Sequence, residues 1–415
     1  MQVKKLIKGE EEEEEEEYID IKEESENLPY LVDIKPIDIK DYQLHKKIGH
    51  GRFGNVFKIS FKKTSELFAA KMFSNHQPVI DIFIKENIIQ SHLSHPSILK
   101  YIGYSPFGFK NMNEPIIITE YCKNGTLFQL LANERKFHNV DGWNDTMKLI
   151  NAFGIATAMK YLHSINILHR DLKTSNIFID ESLHPLVGDF GCSIVLNNGD
   201  EKICEDSGGI VGTPAYIAPE IIRKNEYSKK SDVYSFSMIL YELFVGPIQF
   251  SDIGMHQLFY NVADKKMRPE FSIKISPAIQ NLIESCWNDD PQNRPSFEDI
   301  EKMLKINNDF ITKEIDEQVY REYIQMIDKK IESIAKHSDV KQISADIQNS
   351  MLKNMNKNQG NDQSVKKESM NSINDDDKKL PVKIDPNCTS CNKKFENKSD
   401  ILYISGFKYH KNCVK

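Results

Sequence analysis

Two short runs concentrate the chemistry in this chain: His169-Arg170-Asp171-Leu172-Lys173-Thr174-Ser175-Asn176, then Asp189-Phe190-Gly191. The first places a carboxylate, an ammonium and a side-chain amide within one short loop. The second adds another carboxylate at the head of a segment that can move. Phosphoryl transfer asks for such a set, because there the protein's work is to position groups and neutralise charge. The combination H-R-D-L-K-x-x-N with D-F-G is far more specific than a lone glycine motif.

Other elements must hold these groups, and the sequence offers candidates in order. Ile48-Gly49-His50-Gly51-Arg52-Phe53-Gly54-Asn55-Val56 reads G-x-G-x-x-G-x-V between strand-like runs. Glycines let a backbone approach phosphates that a β-carbon would obstruct, although such a motif alone is more often a tight hairpin turn. Fifteen residues after Val56 comes Lys71, closing Phe68-Ala69-Ala70-Lys71 in a β-rich stretch. A lone lysine is usually a solvated surface charge, and its spacing from the glycines argues against that here. Phe83 to Ile89 is apolar at helical spacing and contains Glu86, nine residues before His95. Ile116 to Cys122 is a β-branched run that predicts a buried strand, an ordinary core element in its own right.

In this order the motifs resemble those of eukaryotic protein kinases, over about residues 42 to 305. The resemblance implies an α+β, bilobal fold with a β-rich N-lobe and a mainly helical C-lobe. By resemblance Lys71 holds the α- and β-phosphates of ATP, Glu86 is its partner on a regulatory helix, and Asp171 accepts the substrate hydroxyl proton. Lys173 neutralises charge on the transferred group, Thr213 aligns the catalytic loop, and Asn176 and Asp189 hold Mg2+. Ile48, Gly49, Gly51, Gly54, Val56, Ala69, Thr119 (as gatekeeper), Glu120, Cys122 and Phe178 line the nucleotide site. Asp232 braces the catalytic loop and Arg294 pairs with Glu220.

Lys173 and Thr213-Pro214-Ala215-Tyr216, before Ala218-Pro219-Glu220, are similar to serine/threonine kinases. Ser231-Asp232-Val233-Tyr234-Ser235-Phe236, Cys286-Trp287 and Arg294-Pro295-Ser296-Phe297 are similar to the tyrosine-kinase-like group. Two residues depart from the pattern: Gln90, where an apolar residue of the internal spine is usual, and Ser237, where glycine is usual. Arg170 beside Asp171 implies control by activation-segment phosphorylation, with Ser193, Ser207 and Thr213 as available hydroxyls and Ser207 preferred. A pseudokinase scaffold and a tyrosine or dual-specificity kinase are the competing readings. Retention of Lys71, Asp171 and Asp189 opposes the first, and Lys173 opposes the second.

Composition agrees. The 415 residues, 40% hydrophobic and 10% aromatic, suffice for a two-lobed core with additions. Seven cysteines, scattered until a cluster near the C-terminus, do not read as a disulfide framework. No apolar run reaches transmembrane length and no secretory signal is evident, so a cytoplasmic setting is expected. A net charge of −7 gives no support for nucleic-acid binding.

The flanks have their own character. Residues 1–40, with an unbroken acidic run from Glu10 to Glu17, read as a disordered tail, with docking to basic partners the lesser alternative. The kinase-like domain takes 41–306. Over 307–353, apolar residues from Ile311 to Met351 recur at helical spacing, predicting one or two amphipathic helices packed on the C-lobe rather than a self-associating coil. Residues 354–385 read as a polar linker. In 386–415, Cys388-x-x-Cys391 and His410-x-x-Cys413 supply four ligands for one structural Zn2+. Their spacing resembles the first zinc module of a LIM domain, which implies a protein-docking role. The partners expected overall are protein substrates with Ser/Thr hydroxyls and a partner of the zinc module, with oligomeric state left open.

Overall fold

The structure, a computed structural model, describes residues 31–354 except 32, 52, 110–113, 137–139, 198, 205–208, 249, 251–252 and 337–341, and the backbone of 401–404 and 407–410. The expectations for the Glu10–Glu17 run, Ser207, the linker and the side chains of Cys388, Cys391, His410 and Cys413 lie outside the described residues.

The first lobe is a five-stranded antiparallel sheet with one helix against it. In chain order its elements are β1 (Tyr42–Gly51), β2 (Gly54–Phe61), β3 (Leu67–Phe73), α1 (Gln77–His92), β4 (Tyr101–Ser105) and β5 (Ile116–Glu120). The sheet order is β1-β2-β3-β5-β4. β1 and β2 form a hairpin in the register Gly49 opposite Val56 and Gly51 opposite Gly54. Val56 faces Lys71 across β2 and β3, and Ala69 faces Thr119 across β3 and β5. The helix buries Phe83, Ile88 and Ile89 completely.

The second lobe is mainly helical: α2 (Leu127–Arg135), α3 (Asp145–Ser164), β6 (Ile167–Leu168), β7 (Ile177–Ile179), β8 (Pro185–Val187), β9 (Ile194–Val195), β10 (Lys202–Cys204), α4 (Pro219–Lys224), β11 (Glu226–Ser228), α5 (Lys229–Phe244), α6 (Met255–Ala263), α7 (Pro277–Cys286) and α8 (Phe297–Ile306). α3 is buried on almost every side, so an amphipathic stripe is absent from its sequence. Gly154 is one reason it packs so closely: a β-carbon there would meet the Tyr323 hydroxyl at 2.5 Å and Pro185 at 2.6 Å. Two ribbons, β6 with β9 and β7 with β8, bracket the loop between Leu168 and Ile177. That geometry pins both ends of the loop that carries Asp171 and Asn176.

Beyond α8, where the apolar spacing predicts one or two helices, the chain forms α9 (Glu317–Ala335) and α10 (342–354). They pack on the helical lobe. The Tyr320 hydroxyl donates to the Leu304 carbonyl at 2.9 Å, and Ile347 is fully buried. Farther on, β12 (Ile401–Ile404) and β13 (Phe407–His410) pair as an antiparallel hairpin.

One boundary needs correction. The tail predicted through residue 40 does not extend that far, because Leu31 and Ile39 are buried and a 3-10 turn spans Ile39–Asp41. Leu31, Ile34, Ile37 and Ile39 supply apolar surface that the charged composition farther upstream had masked, and this surface packs on the first lobe.

Candidate active site

The site lies where the two lobes meet, and each lobe contributes charge. The Lys71 ammonium, at the centre of the sheet, sits 2.8 Å and 2.9 Å from the two carboxylate oxygens of Glu86 on α1. It also lies 2.8 Å from Asp189 Oδ1. Burial works against its charge, but Asp189 and then Glu86 more than offset this and hold the Lys71 pKa above the ordinary lysine value. For Asp189 burial pushes upward, Lys71 outweighs it, and the carboxyl stays ionised below the usual range. In Glu86 burial prevails over Lys71 and its pKa is raised. The lysine thus joins α1 to the second lobe's Asp189.

The catalytic loop forms a second cluster. Lys173 Nζ is 2.7 Å from Asp171 Oδ2 and 2.8 Å from Thr213 Oγ1. Thr213 in turn donates to Asp171 Oδ1 at 2.7 Å. The Asn176 amide nitrogen donates to the Asp171 carbonyl at 2.8 Å, which leaves its amide oxygen for another partner. Arg170 and Asp189 both hold positive φ, 64° and 60°, in the left-handed region that costs non-glycine residues energy. Asp232 on α5 accounts for the first of these. One of its oxygens accepts the Arg170 N–H, the other accepts the His169 N–H and pairs with His163, each at 2.9 Å. Burial would raise the Asp232 pKa, yet the His163 contact and His169 overcome it and hold the carboxyl below its ordinary value. The brace expected of Asp232 is present.

The pair expected between Arg294 and Glu220 is present too, bidentate at 2.7 Å and 2.8 Å. His169 packs against the fully buried Phe190 at 5.5 Å between ring centres. Gln90 is buried, with its amide oxygen unpartnered among the described residues, yet α1 rests in the position that closes Lys71 on Glu86.

Of the predicted nucleotide-lining residues, Ile48, Gly49 and Gly51 lie on β1, Gly54 and Val56 on β2, Ala69 on β3, and Thr119 and Glu120 on β5. Gly54 has a packing role that its motif did not reveal: a β-carbon there would run into the Met72 carbonyl of β3. A β-carbon at Gly51 would meet nothing closer than the Gly54 carbonyl at 3.8 Å, so that stretch keeps open room. The Glu120 N–H is taken by the Lys100 carbonyl at 3.0 Å, which ends β5 there. Phe178 bridges to Thr126 at the floor, held close by Gly188, where a β-carbon would meet its ring at 2.9 Å.

Of the hydroxyls expected to take regulatory phosphate, Ser193 is fully buried and Thr213 is engaged by Lys173 and Asp171. Arg170 donates from Nε to the Cys192 carbonyl at 2.7 Å and lies over the Tyr227 ring. One cluster escaped sequence reasoning. Tyr216 donates to Glu242 on α5, and Thr174 donates to the same carboxylate oxygen at 2.9 Å. This ties the segment before Ala218 to the catalytic loop, and its members are too far apart in sequence to form a motif.

A two-lobed fold with a lysine–glutamate pair above an Asp-Lys-Asn loop defines the catalytic domain of a protein kinase. The protein kinase domain family matches residues 42–306, and the chain belongs to that family. Among curated relatives, a probable serine/threonine-protein kinase of Dictyostelium discoideum is 33% identical, over 67% of this chain and 20% of its own length. Serine/threonine-protein kinase CTR1 of Arabidopsis thaliana is 31% identical, over 64% of this chain and 31% of its own. Serine/threonine/tyrosine-protein kinase HT1 of Arabidopsis thaliana is 33% identical over 54% of each. The chain spans between about a sixth and about half the length of these and similar curated relatives.

Proposed function

We propose that this chain is an ATP-dependent protein serine/threonine kinase of the tyrosine-kinase-like group, acting in cytoplasmic signalling. The observation that carries this reading is the Lys71–Glu86 pair closed above the Asp171–Lys173–Thr213 cluster. Asp171 orients the substrate hydroxyl and takes its proton as the oxygen attacks the γ-phosphorus and the bond to the β-phosphate oxygen breaks. Lys173 balances the negative charge on the moving group. Lys71, positioned by Glu86, fixes the α- and β-phosphates. Thr213 holds Asp171 and Lys173 in register.

The carboxylate of Asp189 and the amide oxygen of Asn176 are hard oxygen donors of the kind magnesium takes. When bound there, the ion supplies positive charge across the phosphates. Ile48, Val56, Ala69, Thr119, Glu120, Cys122 and Phe178 enclose the adenine, and Gly49, Gly51 and Gly54 bring backbone near the phosphates. The motifs at Ser231–Phe236, Cys286-Trp287 and Arg294–Phe297 support the tyrosine-kinase-like grouping. Arg170 is the site at which activation-segment phosphorylation would act.

Residues 388–413 form a separate structural zinc module with Cys388, Cys391, His410 and Cys413 as ligands and protein docking as its role. The antiparallel pairing of β12 with β13, whose last residue is His410, supports this.

Purified protein with labelled ATP and a mixed peptide library, followed by phosphoamino-acid analysis, tests the reading. Label on serine and threonine is expected. Label on tyrosine as well would place the chain with dual-specificity kinases, and absence of transfer would leave a scaffold.

A further inference from the structure

The chain before β1 and the helix after the catalytic domain are remote in sequence, yet they meet through Lys353 and Asp33. β4 is an edge strand, whose open side would leave backbone groups unpaired. The chain before β1 covers it. The Ile37 N–H donates to the Tyr104 carbonyl at 2.8 Å, the Leu31 N–H donates to the Tyr104 hydroxyl at 2.9 Å, and that hydroxyl donates to the Ile34 carbonyl at 3.1 Å. Gly103 makes room, because a β-carbon there would meet Ile37 at 2.8 Å. The Tyr104 ring packs on Phe83 of α1 at 6.1 Å, and Phe83 packs on Phe73 of β3 at 5.3 Å. The Lys71 ammonium stands 5.1 Å from the centre of the Phe73 ring. Contacts therefore run without a break from Leu31 to the Lys71–Glu86 pair.

α10 closes the other side. Ile347 is fully buried, and Ile343 and Met351 pack on the same core. The Gln348 amide donates to the Leu196 carbonyl at 3.1 Å, and the Leu196 N–H donates to the Asn166 carbonyl at 2.8 Å. Leu196 follows β9 at the root of the activation segment, and Asn166 precedes β6, which leads into His169. One turn beyond Gln348, the Lys353 ammonium lies 2.5 Å from the Asp33 carboxylate. The helix thus touches the root of the activation segment with its middle and the N-terminal stretch with its end.

We propose that α10 and the stretch from Leu31 to Ile37 form a strap that holds α1 with Glu86 against Lys71, so that the two extensions promote activity in cis. This rests on the kinase reading of the site. α1 needs such a hold. Its buried face carries Gln90, whose amide oxygen is unpartnered among the described residues, and Asn87, whose amide nitrogen is likewise unpartnered. Buried polar atoms left unsatisfied favour any state of the helix that exposes them to water. A helix with two positions is the element that both extensions can bias.

The test uses the full chain with Ile347→Asp, and Ile347→Val as the conservative control, read by hydrogen exchange and steady-state kinetics. If the competent population falls about tenfold, the α1 amides exchange about tenfold faster, kcat on a free peptide drops about tenfold, and the peptide KM stays within about twofold. The α5 amides and the Ile347→Val protein are expected to match the parent. Unchanged α1 exchange overturns the strap, and so does equal acceleration in α5, which would mean general loosening. Should Ile347→Asp fail to fold, exposed Asp33→Lys takes its place. It is expected to speed α1 exchange by about two- to fivefold, consistent with a surface pair, with reversal in Asp33→Lys/Lys353→Glu. No acceleration, or no reversal, overturns the proposal. Exchange is read without turnover, so failure of the strap and absence of kinase activity are distinct results.

Discussion

The Thr213 hydroxyl lies 2.7 Å from Oδ1 of Asp171, which ties the segment before Ala218 directly to the loop from His169 to Asn176. Lys173 reaches both residues, so a shift in the segment disturbs the charge balance as well as the orientation of Asp171. Asp171→Asn is expected to lower kcat by about 10²–10⁴ while nucleotide affinity holds, since a positioned base contributes on that order. Thr213→Val should cost less, because Asp171 and Lys173 still meet. Parent-like turnover by Asp171→Asn would remove the assignment.

The gatekeeper position allows a test on the other side of the cleft. Thr119 stands opposite Ala69 on β3 and opposite Tyr101 on β4, and in the proposed kinase reading its small side chain borders the adenine. Thr119→Met should weaken bulky ATP-competitive inhibitors by about ten- to a hundredfold, the effect of overfilling a packed space by about 1–3 kcal/mol. The KM for ATP should change little. Equal inhibitor affinity in both proteins would show that this residue does not border the pocket.

Arg294 is fully buried, and besides Glu220 it bonds the Asn288 and Lys230 carbonyls at 2.8 Å and 2.9 Å. Its removal strands a carboxylate. Arg294→Met is therefore expected to destabilise by about 3–5 kcal/mol, and the pair replacement Arg294→Met/Glu220→Leu by less, because no lone charge remains buried. Denaturant unfolding of both proteins and the parent checks the order. A double variant weaker than the single would mean that the contacts Glu220 keeps without Arg294, such as the bond it accepts from the Ser231 hydroxyl at 3.1 Å, outweigh the cost of its buried charge.

Local chemistry made the site legible in the sequence. His169 to Asn176 and Asp189 to Gly191 work at fixed short spacings, so residue types reveal them without a fold. Lys71 and Glu86 could be placed because their spacings, from the glycine loop and from His95, match the family pattern. Contacts across long separations left no such trace. Asp232 meets Arg170 across 62 residues, and Glu242 meets Thr174 across 68. The former was reached through family resemblance and the latter not at all. The Leu31–Ile39 stretch was obscured for another reason. Its apolar residues are few and irregularly spaced, and what pairs them with β4 is an open sheet edge that only the assembled sheet presents.

Zinc gives a test independent of catalysis. Four protein ligands close a tetrahedral shell, so an ion held by Cys388, Cys391, His410 and Cys413 would be structural. Metal analysis of purified protein should return one zinc per chain, and Cys388→Ser with Cys391→Ser should abolish it. Chelation should leave turnover on a free peptide unchanged. A zinc-free intact protein would refute the module.

His95 predicts an acid-sensitive step. It sits in the turn after α1, buried, with its ring stacked on Tyr161 of α3 at 5.3 Å and its Nδ1 accepting the Ser97 N–H at 3.1 Å. Burial pushes its pKa down to about 3. In the unfolded chain the same imidazole titrates near ~6.5. Below that value the unfolded state binds a proton that the folded state refuses, so stability falls as pH falls, until the folded group itself titrates. The full benefit of neutral His95 is present above about pH 6.5 and is lost at up to about 1.4 kcal/mol per pH unit on the way down. His95→Gln cannot take up that proton. Its melting temperature should therefore decline less steeply than the parent's between about pH 6.5 and 5, whatever its value at neutral pH. Parallel slopes in the two proteins would show that His95 does not contribute to the acid response, and that protonation elsewhere sets it.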